Sequence, residues 1–135
     1  MVTLLLLLLA YTAISGVKDG LLWSKKGADA FAWNEHIVLV AERISVGLLP
    51  LSYMIIKNYT YIDYAALLAT WLLLFSFIHN GFYYETRRRI DQPDYDWFSD
   101  SSTSTAWFET DIITRTLCFI IGILAFSYYL IEVKS

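Results

Sequence analysis

The chain is poor in charge, holds one cysteine and has two histidines, and each scarcity removes a class of function. Of its 135 residues 17% are charged while 57% are hydrophobic, an apolar share above that of soluble domains. Water is the wrong solvent for most of this sequence. The single cysteine, Cys118, lies inside an apolar run, so it supports neither an internal disulfide nor a multi-cysteine metal site. It reads as lipid-facing or core packing. The net charge of −3 comes with no polybasic surface, which argues against nucleic acid as a partner. Also missing are a Ser-His-Asp arrangement, a Gly-rich phosphate loop and a potassium-filter sequence. Hydrolase, nucleotide-binding and potassium-channel readings therefore have no support.

What is present is a series of long hydrophobic segments. A span needs about 20 apolar residues, so four spans and their connections fill the chain and leave no room for a second domain. The expected fold is an all-α polytopic membrane protein, a compact bundle of four transmembrane helices at about 2–23, 33–57, 61–84 and 106–133, with a polar loop at about 85–105. The opening MVTLLLLLLAYTAISG lacks a positive start and a small-x-small cleavage site before Lys18, so it is expected to be a retained span. Lys18 and Asp19 mark where that span leaves the hydrocarbon. The second helix starts near Asp29 and carries Pro50, which predicts a kink that neighbouring helices can accommodate. Lys57 to Thr60 form a short connection, making the second and third helices antiparallel neighbours. Ala65 and Ala69 offer a small-residue packing face on the third helix, while Gly16-x-x-x-Gly20 lies at a charged helix end and is attributed to chance.

Lys and Arg set orientation. Lys18, Lys25, Lys26, Arg87, Arg88 and Arg89 lie at one set of helix ends, against Lys57 and Lys134 at the other. In a bacterial inner membrane the loops 24–33 and 85–105 would be cytoplasmic and both termini outside. A three-span reading, with the first helix lying in the interface, would reverse one terminus. Many of the aromatics, such as Trp23, Trp33, Tyr61, Trp107 and Tyr128, fall near helix ends as interfacial belts.

Candidate chemistry comes from depth. At about 1.5 Å per residue, counting from the turn near Asn58 puts His36 and His79 at one level. The same count brings Lys18, Asp19, Asn34, Glu35 and Asp111 to that end of the bundle. Glu42 and Arg43 lie about two turns deeper, and Arg115 about one turn deeper than Asp111. An ionised group in hydrocarbon costs at least a few kcal/mol, so each should find a partner. The expected pairs are Glu42 with Arg115 and Arg43 with Asp111. His36 and His79, with Glu35, Glu42 or Asp111, make a mixed nitrogen and oxygen set of the kind a transition metal such as zinc or iron accepts. Asn80 and Tyr83 could support such a site, and a bis-histidine haem is its less favoured form. Against a metal stands the absence of any E-x-x-H or H-E-x-x-H spacing, which favours a buried salt-bridge network.

Weaker motifs have plainer explanations. Asn58 to Thr60 matches a glycosylation acceptor beside the membrane. Asp91, Asp94, Asp96 and Asp100 lack the spacing of a calcium loop and read as a solvated acidic loop. The leading expectation is a membrane protein that binds an ion or small charged ligand through Glu35, Glu42, Arg43, Asn80, Tyr83, Asp111 and Arg115, with His36 and His79 as metal candidates. The alternatives are an accessory or structural subunit packed against partner membrane proteins without chemistry of its own, and a membrane enzyme acting on a lipid-soluble substrate; a homo-oligomer and a quinone as bound ligand also stay open.

Overall fold

A computed structural model describes residues 1–27, 33–100 and 111–133, with the backbone alone described for 33–36. Helices α1 (Val2–Lys26), α2 (Trp33–Ile56), α3 (Tyr61–Ile90) and α4 (Ile112–Tyr128) follow in order, and α4 continues as a π-helical segment, Tyr129–Val133. Each carries an apolar stretch long enough to cross a bilayer. The protein is an all-α bundle of four such helices alternating in direction.

Three boundaries differ from the expectation. Helix α1 ends at Lys26 rather than near residue 23, and Asp19, expected where the helix leaves the hydrocarbon, is buried at 3% exposure. Helix α3 continues past Tyr84 to Ile90 because its last turns are tied along one edge. Arg87 Nε donates to Asp91 at 2.8 Å, and Arg88 and Arg89 both bond Glu85, the i,i+3 and i,i+4 pairings that stabilise a helix surface. Helix α4 starts at Ile112, later than the expected start near Thr105 or Ala106. Asp111 is its extended N-cap and accepts the Thr114 amide at 2.8 Å, satisfying one of the orphan donors of the first turn.

The turn between α2 and α3 is built from local chemistry. Asn58 sits at φ 53 and the Tyr59 amide reaches back to the Met54 carbonyl at 3.1 Å, a left-handed helix ending that asparagine tolerates. Thr60 and Asp63 then cap α3 reciprocally. The residues of the acceptor-like pattern thus have structural duties here.

The short turn does not make α2 the closest partner of α3. Helix α3 packs chiefly between α1 and α4, and α2 touches the rest sparingly. The cause is side-chain size. A Cβ added at Gly16 would stand 2.2 Å from the His79 carbonyl oxygen, and one at Gly20 would stand 3.0 Å from that of Tyr83. Gly16 and Gly20, set aside by spacing alone, are the surface on which α1 and α3 approach, as membrane helices do where lipid supplies no hydrophobic drive. Ala65 and Ala69, the expected small face, are exposed instead. Between the helices lie Leu8, Met54, Leu67 and Leu74, all nearly inaccessible, with Trp71 beside them. Trp71 Nε1 donates to Thr12 Oγ1 at 2.9 Å, so the one polar atom of this indole is satisfied.

Candidate functional site

Three helices contribute to one polar cluster. Asp19 of α1 lies about 10 Å inside the Lys26 end of its helix and His79 of α3 about 16 Å inside the Ile90 end, at about 1.5 Å per residue. Both are within apolar spans. Arg43 of α2 reaches between them, its Nη2 donating to Asp19 Oδ2 at 2.7 Å. The same carboxylate oxygen lies 3.0 Å from His79 Nε2, and Arg43 Nη2 lies 3.1 Å from that ring nitrogen. On its other side His79 places Nδ1 3.1 Å from Asn80 Oδ1. Phe75 stacks on the imidazole at a centroid distance of 5.2 Å and carries the Arg43 guanidinium over its own ring at 5.3 Å. The Phe75 ring thus contacts both the imidazole and the guanidinium.

This arrangement constrains the protons. Asn80 Oδ1 can only accept, so Nδ1 carries a hydrogen. If Nε2 is bare it accepts from Arg43 but faces the lone pairs of Asp19. If Nε2 is protonated it donates to Asp19 but faces the N–H groups of Arg43. Each protonation state satisfies one neighbour and opposes the other. Two further atoms, Asp19 Oδ1 and Arg43 Nε, are buried with no hydrogen-bond partner among the described residues, a costly condition for charged groups.

Beside this cluster Glu42 bridges α2 to α1. It forms an ion pair with Lys18 and receives a 3.4 Å hydrogen bond from the Tyr11 hydroxyl. The expected pairs, Glu42 with Arg115 and Arg43 with Asp111, are not the ones formed. The depth count assumed a tight turn at Lys26, but α2 resumes only at Trp33. Residues of α1 therefore face positions of α2 about two turns further along than the count gave. Asp111 caps α4 and is exposed. Arg115, 2% exposed, bonds Asp100 and the Ser99 carbonyl at 2.9 Å and lies under Tyr84. Tyr83 supports no histidine either; its hydroxyl accepts from Arg87 Nη1 at 3.0 Å.

These contacts also revise the acidic loop and the aromatic belts. Asp91 is held by Arg87 and by the Ser24 hydroxyl, Asp100 by Arg115, and Asp96 accepts the Phe98 amide. Trp97 turns inward so far that a Cβ on Gly81 would stand 2.1 Å from its ring. Trp23, Tyr83 and Tyr95 surround the Arg87 guanidinium at 5.4 to 5.8 Å. Trp23 and Tyr83, expected as interfacial anchors, box a buried arginine.

Asp19 is the hub that sequence reasoning did not rank among the site residues. It was visible as a carboxylate next to Lys18 but was read as the end of a span. Among the described residues no three His, Cys, Asp or Glu side chains gather as a metal site would require. Glu35 and His36, and with His36 the paired-histidine haem arrangement, lie outside the described side chains.

No protein-family model matches the chain, and comparisons with curated proteins and with solved structures give no match. The functional reading therefore rests on the cluster alone.

Proposed function

We propose that this multi-pass membrane protein binds a small charged ligand at the Asp19–Arg43–His79 cluster, and that the ligand suited to it is a proton taken up on His79. The supporting observation is the position of His79 Nε2, 3.0 Å from a carboxylate acceptor and 3.1 Å from a guanidinium donor. Gain or loss of one proton exchanges which of the two is bonded, and intramembrane carboxylate and histidine groups are the usual elements of proton relays. The groups around the imidazole are Asp19 of α1, Arg43 of α2 and Asn80 and Phe75 of α3. On α4, Arg115 is directed to Asp100 instead. Asp19 Oδ1 and Arg43 Nε, an acceptor and a donor without partners, offer water its way to the cluster.

The test is nitrogen-15 NMR of the histidine-labelled chain in lipid nanodiscs, with His36→Gln used to assign His79. Across the pH range in which the protein stays folded the ring should be found in both a neutral and a charged form, and Asp19→Asn should shrink the charged population. A ring that keeps one protonation state across that range in both proteins sinks the reading. The lysine and arginine bias supports placing the Lys26 and Ile90 ends in the cytoplasm of a bacterial inner membrane. An impermeant maleimide on intact cells should then label Lys57→Cys but spare Lys25→Cys.

A further inference from the structure

At the other end of the bundle α1 and α2 stand apart. Between them runs a cleft of about 650 Å³ lined by Leu4, Leu7 and Leu8 on α1 and by Val46, Leu49 and Tyr53 on α2. Leu8 forms its floor at 2% exposure, while Leu7 and Leu49 at its rim are 63% and 66% exposed. The cleft therefore opens sideways, in apolar surroundings, along the outer part of both spans. At its inner end the next turn of α1 carries Tyr11 and the next turn of α2 carries Glu42, and their hydrogen bond closes the space. Its mouth lies by Tyr59 and Pro50, with the exposed Lys57 one turn beyond Tyr53.

We propose that this cleft is the binding site of one fatty-acyl chain of a membrane phospholipid, the lipid belonging to the leaflet at the Tyr59 end. Three observations select that occupant. The first is size. At roughly 30 Å³ for a methylene-sized group, as for a water in the liquid, the space holds the upper segment of an acyl chain with room around it. The second is depth. The lining from Leu4 to Leu8 and from Tyr53 to Val46 covers about 6 to 11 Å along the helix axes, the outer half of the hydrocarbon core, so a chain can enter while its headgroup stays at the interface. Tyr53 and Lys57, polar groups able to meet a headgroup, stand at that mouth, whereas the polar groups at the inner end, Tyr11, Glu42 and Lys18, are bonded to one another. The third is that α2 is tied to α1 inward of the cleft by polar bonds, Arg43 to Asp19 and Glu42 to Lys18 and Tyr11, while along the cleft the two backbones stand apart, with Met54 reaching into the core shared with Leu5 and Leu8. The chain supplies the missing contact, since a gap of this size leaves its lining without dispersion partners. This site is separate from the His79 cluster and does not depend on its chemistry.

The experiment reconstitutes the full chain in phosphatidylcholine nanodiscs containing a phospholipid with a photoreactive diazirine on one acyl chain. Cross-links are mapped by mass spectrometry. Adducts should concentrate on Leu7, Leu49 and Tyr53 over the comparably exposed Leu117 and Leu124 of α4, by about tenfold, the ratio that 1.4 kcal/mol of preference gives. Filling the cleft with Leu7→Trp and Leu49→Trp should abolish that excess, while Ile123→Trp on α4 leaves it unchanged. Even labelling of α1, α2 and α4 in the wild-type chain, or an excess at Leu7, Leu49 and Tyr53 that persists after the cleft is filled, would overturn the proposal.

Discussion

His79 Nε2 and Asp19 Oδ2 meet at 3.0 Å across sixty residues of sequence, inside the apolar part of two parallel helices. Asp19 also holds Arg43, so its charge serves two partners at once. Asp19→Asn keeps the shape and removes the charge, leaving Arg43 uncompensated, and removal of one member of a buried pair costs about 3–5 kcal/mol. The expected outcome is a large drop in unfolding midpoint in detergent, followed by circular dichroism. Adding Arg43→Met should recover much of the loss, because an apolar residue in place of the second charge leaves nothing unpaired. Equal instability of the single and double variants would show that the pair is not one energetic unit.

Gly16 governs the same site through the backbone. A Cβ there would lie 2.2 Å from the His79 carbonyl oxygen and 3.1 Å from its carbon, a backbone obstacle that no rotamer change removes. Gly16→Ala must push α1 away from α3 and should cost about 1–3 kcal/mol, as overpacking does. It should also move the His79 ring resonances. An unshifted melting midpoint in Gly16→Ala would mean that the two helices are not held at this distance in the membrane.

Composition and hydropathy made the four spans legible, because a bilayer admits few alternatives to apolar helices. Levels within the membrane were less legible. Lys18 and Asp19 of α1 stand level with Glu42 and Arg43, about two turns further along α2 than the count gave, and this changed the partners of Glu42 and Arg43. Charge also misled in a specific way. Lys18 and Asp19 were read as the end of a span because exposed charges mark helix exits, whereas each finds an opposite charge on α2 and stays inside. Gly16 and Gly20 were discounted for the same reason. His79, Asn80 and Arg43 do come together in the structure, with Arg43 level with His79 and not the two turns deeper that the count gave it, since polar groups have few other places to go in hydrocarbon.

Arg115 fastens the loop that follows α3. Its Nη2 holds Asp100 and the Ser99 carbonyl, its guanidinium lies 5.6 Å from the Tyr84 ring centroid, and Trp97 of the same loop fills the notch at Gly81. Arg115→Met preserves an apolar stem but removes both bonds. Limited proteolysis should then cut within 91–100 several times faster than in the wild-type chain, with helix content unchanged, because local opening exposes the loop without unfolding the spans. Asp100→Asn should act in the same direction and more weakly, since the Ser99 carbonyl remains bonded. Identical cleavage rates in all three proteins would count against this fastening.

Asp111 gives a pH dependence whose sign follows from its cap. Hydrogen bonds from the Thr114 hydroxyl and amide hold its carboxyl below the usual carboxylate range. The folded protein therefore prefers the ionised form more than the unfolded chain does. The stabilisation is present above the ordinary carboxylate range and fades as pH falls through the lowered value. Asp111 is exposed, so the contribution is small, and it adds to the favourable placing of a negative charge at a helix N-terminus. Asp111→Ala should unfold at a lower midpoint than the wild-type chain at neutral pH, with the two midpoints converging in acid. A difference that persisted at low pH would assign the effect to the backbone of the cap and not to its charge.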